Sequence, residues 1–121
     1  MTPIAETFAD LACELARAVR ISYPLAELND LLSAATGLEV ESLARPDIAD
    51  PYRLNYLTAM VELAAHRTGV VPPLWTAEVS PLAEPVFIDR SPALREHLLT
   101  ASPVPFRRRN IFIDTSLGGR V

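Results

Sequence analysis

Three consecutive arginines, Arg107-Arg108-Arg109, are the residues whose type and spacing could do chemistry. They follow Phe106 and precede Asn110-Ile111-Phe112-Ile113. A guanidinium offers its N–H groups as a planar fork that matches a carboxylate in two places at once. Pro103 and Pro105 lie just upstream, where proline disfavours helix and biases the residue before it toward extended backbone. In an extended segment Arg107, Arg109, Ile111 and Ile113 share one side. Phe106, Arg108, Asn110 and Phe112 share the other. Each side mixes guanidinium with hydrocarbon, which makes a poor core strand. The expectation is a C-terminal arm laid on a partner that offers carboxylates beside an apolar groove. A plainer reading keeps the arginines as a solvated basic loop that pairs partly with the chain's own acidic body.

Elsewhere the reactive residues are few. Cys13 is the single cysteine, so an internal disulfide is impossible, and it falls at the margin of an apolar stripe with neither base nor ligand beside it in sequence. His66 and His97 are the only histidines. His66 reads as a helix-end interaction rather than a metal ligand. There is no phosphate-binding glycine loop, no nucleophile elbow and no HExxH. The expectation is a protein that is not an enzyme and holds neither metal nor cofactor.

Charge divides the chain unevenly. All 11 basic residues are arginine, against 15 acidic ones, for a net charge of −4. Residues 1–104 carry seven Arg against fourteen Asp or Glu, a net of −7, whereas residues 105–121 carry four Arg against Asp114, a net of +3. An acidic body repels nucleic-acid phosphates, so nucleic acid is not the expected partner, and only the tail suits an anionic surface. No apolar run approaches the roughly 20 residues of a membrane span. The N-terminus lacks a basic region followed by an apolar block, so a cytoplasmic location is expected.

The remaining sequence supplies helices to carry the tail. Thr2-Pro3 reads as a cap and first helical residue, followed by a stripe of Ile4, Phe8, Leu11, Leu15 and Val19. Ser22-Tyr23-Pro24 starts a second helix with Leu25, Leu28, Leu31, Leu32 and Ala35 inward, and Gly37 reads as its stop. Residues 38–44 form a further turn or two. A helix-turn-helix is disfavoured there, because Glu39 and Glu41 stand where base-reading residues belong. Asp50-Pro51 caps the helix expected to be central, with Leu54, Leu57, Val61, Ala64 and Ala65 apolar and Gly69 as its stop. Tyr52 and Tyr56 read as an aromatic edge to the core.

Seven of the 11 prolines lie from Pro72 onward. Residues 72–90 are nonetheless too apolar for disorder and read as an ordered connector anchored by Trp75. Ser91-Pro92 opens a last short helix to Ala101. The fold class is therefore all-α. Residues 1–102 make a helical bundle with the proline-rich connector packed on it, and residues 103–121 make a basic extended arm. Phe8, Leu15, Leu28, Leu57 and Trp75 are expected to be buried together.

Pro73-Leu74-Trp75-Thr76, Leu82-Ala83-Glu84-Pro85-Val86-Phe87, Leu94-Arg95 and Pro105-Phe106-Arg107-Arg108-Arg109-Asn110-Ile111-Phe112-Ile113 follow one another in that order. Over residues 50–121 this resembles small, mostly actinobacterial proteins encoded beside nucleotidyltransferase-fold toxins. The resemblance implies the antitoxin of such a pair, or an accessory to it, that binds the toxin directly. Its partner-binding residues would be Phe106, Arg107, Arg108, Arg109, Asn110, Ile111 and Phe112, set against the toxin's metal-holding carboxylates. The relatives often carry an upstream helix-turn-helix, which the N-terminal third here does not clearly offer. A DNA-binding regulator and a helical scaffold protein are the alternative readings, and self-association stays open.

Overall fold

The computed structural model describes residues 3–88, 98–99 and 101–113. Its centre is the helix that Asp50 starts. The Asp50 carboxylate accepts the Arg53 backbone N–H at 3.1 Å, and Pro51 takes the first turn, where a missing N–H costs nothing. Gly69 closes the helix in the left-handed region at φ 76°, which a Cβ would strain. Within this helix every residue from Asn55 to Val61 is buried. Other elements therefore cover it on several sides, and its sequence shows no single apolar stripe.

The helices that lie wholly within the described residues are, in chain order, α1 (Ile4–Arg17), α2 (Ser22–Ala34), α3 (Gly37–Glu41), α4 (Pro51–Thr68), α5 (Leu74–Glu78) and α6 (Val104–Arg108). Strands β1 (Val86–Phe87) and β2 (Ile111–Phe112) pair in parallel, Val86 opposite Ile111 and Phe87 opposite Phe112. The fold is mostly helical, as expected. α1 and α2 pack together and against α4, and α6 closes over α4 from the C-terminal end. Phe8, Leu15, Leu28 and Leu57 are at most 2% exposed in the shared core. Trp75 packs against that core half-buried, its indole N–H donating to the Leu43 carbonyl at 2.9 Å. This bond ties the proline-rich connector to the segment after α3.

Several boundaries differ from the sequence reading. α1 ends at Arg17 and Ala18 turns extended, so Val19 leaves the stripe and stands 96% exposed. Pro3 is the cap residue of α1; Thr2 lies outside the described residues. Ile21 caps α2, and Ser22 is its first residue. Gly37 does not stop α2; it opens α3. Thr36 accepts the Glu39 N–H at 3.2 Å while the Glu39 carboxylate accepts the Thr36 N–H at 2.9 Å. That reciprocal pair is a capping box, and it gives Glu39 a local role. Glycine at 37 makes room for a neighbour: a Cβ there would come within 2.6 Å of Val70 Cγ1, so the Val70 side chain would have to shift. The start expected at Ser91-Pro92 and the chain end from Asp114 lie outside the described residues.

Candidate protein-binding surface

Arg109 is the least accessible of the three arginines, 5% exposed, and all five of its N–H donors are used. Nε and Nη2 fork onto the two Glu62 oxygens at 2.8 and 3.1 Å. Nη1 donates to Asn55 Oδ1 and the Val79 carbonyl, both at 2.9 Å, and Nη2 also reaches the Thr76 carbonyl at 2.7 Å. Asn55 completes the cluster by donating to the Pro51 and Ser80 carbonyls at 2.9 and 3.0 Å. A charge this far from water is tolerable only with its geometry satisfied, and here it is. The cluster clasps the C-terminal segment to α4 and α5.

The free, extended arm is therefore corrected. Pro103 and Pro105 do not forbid a helix; they begin one. Pro103 caps α6 and Pro105 lies in its first turn, where backbone N–H groups have no helical acceptor to lose. The chain then turns through Asn110 at φ 64° into β2. Phe106 is 3% exposed, edge-on to Tyr56 with ring centroids 5.2 Å apart. Ile111 and Ile113 are core residues at 0% and 3%. Phe112 stacks on Phe87 at 4.8 Å, and the Asn110 amide donates to the Leu82 carbonyl at 2.7 Å. The alternation of Ile111 and Ile113 against Phe112 is as the sequence implies, but the inward face belongs to this protein's own core. Phe106, Ile111 and Ile113 thus pack into the same core as the helices before them.

Of the seven residues expected at a partner, Arg107 and Arg108 remain exposed on α6. Their guanidinium groups make no ion pair or hydrogen bond with a described residue. Val104, one turn back, is 45% exposed. Two grooves adjoin α6. One, of about 480 Å³, runs between α2, α4 and α6, over Leu32, Tyr56, Met60 and Phe106, with Arg67 at its edge. The other, of about 520 Å³, lies between α4 and α6, over Val70 and Val104, with Arg108 at its edge. Leu63, His66 and Pro103 line both. Arg67 is held in place by one bond, from Nη2 to the Leu32 carbonyl at 2.7 Å.

Tyr56 sits 2% exposed beneath the first groove, and burial, with Tyr52 adding to it, pushes its phenol far above the ordinary 10.0. Its ring is edge-on to both Tyr52 and Phe106, so the aromatic edge expected of the tyrosine pair is an aromatic bridge between α4 and α6. Among the described residues no three His, Cys, Asp or Glu side chains gather as a metal site, and no helix is long and apolar enough to cross a membrane.

Sequence reasoning missed Glu62, Asn55 and Arg67. The first two carried a signal: seven residues apart on a helix, they project from one face two turns from each other. A carboxylate and an amide so placed on one helix face can together receive a guanidinium. No protein-family model, curated protein or solved structure matches the chain.

Proposed function

We propose that this protein is a cytoplasmic, non-enzymatic antitoxin that neutralises a nucleotidyltransferase-like toxin by direct protein binding. The carrying observation is that Arg107 and Arg108 stand exposed and unpaired with any described residue, on a body of opposite charge. Two such forks beside the apolar Val104 suit a surface that offers carboxylates, as a nucleotidyltransferase's metal-holding site does. The toxin class comes from the resemblance of residues 50–121. On this reading the binding surface is smaller than an arm and is carried by the helix α6 rather than by a strand.

Growth rescue in a strain co-expressing a nucleotidyltransferase toxin, taken from beside this protein's gene, tests this reading. Arg107→Glu with Arg108→Glu is expected to melt like the parent and to lose neutralisation. Full rescue by that folded variant overturns the role of α6, and failure of the parent chain to rescue overturns the antitoxin reading itself. Truncation at residue 102 is a poor test, because it also removes the buried Phe106, Arg109, Ile111 and Ile113.

A further inference from the structure

We propose that the joined grooves across α2, α4 and α6 seat an acidic, amphipathic segment of a partner protein, its apolar side chains over Leu63 and its carboxylates on Arg67 and Arg108. This rests on the chain being a protein-binding module and not on the partner being a toxin.

The first argument is shape. The two grooves share Leu63, His66 and Pro103 as lining, so they adjoin along α4. A small ligand would use only one of them. A peptide segment crossing Leu63 uses both, setting one apolar side chain among Leu25, Leu32 and Met60 and another beside Val70 and Val104. Anchor residues entering adjacent apolar pockets are how a helix or strand is read in a groove.

The second argument is charge. Acidic residues outnumber basic ones 15 to 11 in this chain, yet among the described residues the formally charged ones lining the grooves are Arg67, Arg108 and Glu62. Glu62 is the only carboxylate among them, and both its oxygens are taken by Arg109. Among the described lining residues the uncompensated charge is positive in each groove, from Arg67 in the first and Arg108 in the second. Arg67 spends one donor on the Leu32 carbonyl and keeps its other N–H groups available among the described residues, and Arg108 keeps all of its own. An acidic segment gains both forks, whereas a basic one meets like charge and no free carboxylate. The Arg109 clasp thus also shapes the groove, because it neutralises the one lining residue that would repel the visitor.

The experiment selects short random peptides on the immobilised full chain and titrates the enriched ones into isotope-labelled protein by NMR. Enriched sequences are expected to combine apolar residues at helical or alternate spacing with Asp or Glu, and to shift the amides of Leu32, Leu63, Arg67 and Arg108. Affinity should fall with added salt. Arg108→Glu should weaken binding by about tenfold, mainly through slower association. Ser33→Trp, at an exposed position lining the first groove, should block it. Because Arg67→Glu also breaks a contact to α2, Arg108→Glu is the decisive variant. Enriched peptides without acidic residues, shifts confined to the surface around Leu38, Val71 and Leu74, or unchanged affinity in Arg108→Glu would each overturn the proposal. Acidic peptides that bind the grooves while growth rescue fails remove the toxin and leave this surface standing. Rescue without any acidic peptide binding removes this surface alone.

Discussion

The clasp around Arg109 and the face carrying Arg107 and Arg108 are built by three consecutive residues of one type, and they differ in desolvation. Arg109 has lost nearly all its water and replaced it with five hydrogen bonds from α4, α5 and the connector. Arg107 and Arg108 keep theirs. A buried, saturated guanidinium has no donor left for a partner, so its removal is felt as stability. An exposed one contributes little to folding and keeps its fork for binding. Burial, more than charge, separates structure from recognition along this run.

Two comparably large effects would break this comparison, and the first is at the clasp. Arg109→Met should cost about 3 kcal/mol in a denaturant melt, the lower end of the range for cutting a buried pair. The lower end applies because the Glu62 side chain keeps 22% exposure and can be partly rehydrated. A parent-like melt for this variant would mean that the clasp is ornamental. Next comes the apolar centre that both regions rely on. Leu57 is 0% exposed in the middle of α4, and Leu57→Ala should cost roughly 2–5 kcal/mol. Cooperative loss of the α6 signals with those of α1 would sharpen the view that residues 103–113 belong to one folding unit.

A smaller effect links the clasped segment to pH. Burial raises the Tyr56 phenol above its ordinary 10.0, so the folded state holds it neutral where the unfolded chain would ionise. Its contribution to stability is therefore complete below pH 10 and is lost as pH climbs above that value toward the raised one. Alkaline melts should show stability falling above about pH 10, and Tyr56→Phe should flatten that slope. An unchanged slope would mean that the Tyr56–Phe106 bridge opens before the phenol ionises. The smallest expected effect lies on the exposed face. Arg107→Ala and Arg108→Ala should each move stability by no more than about 0.5 kcal/mol. A larger loss in either would erase the distinction between the two regions.

Much of the helical frame was legible because its signals are local. Asp50-Pro51 and Gly69 bracket α4 through one cap bond, one fixed φ and one positive φ, all set within a few residues. The stripe of Ile4, Phe8, Leu11 and Leu15 needs only the 3.6-residue period to be read. The errors came where a local rule met a choice. Gly37 permits either a stop or a start, and the capping pair of Thr36 and Glu39 chose the start. Pro105 excludes a helix interior but not a first turn, and the turn is the conformation that packs Phe106 on Tyr56 and brings Arg109 to Glu62.

By itself the sequence determined a helical body with a central α4, an ordered proline-rich connector and a paired alternation at Ile111 to Ile113. These follow from backbone stereochemistry and side-chain period, which act between near neighbours. The fate of each arginine was decided only by the tertiary structure. Arg109 and its partners Glu62 and Asn55 are separated by 47 and 54 residues, and no local pattern says which guanidinium will meet them. Desolvation belongs to the assembled packing, so the same residue type repeated three times could become one structural clasp and two exposed forks.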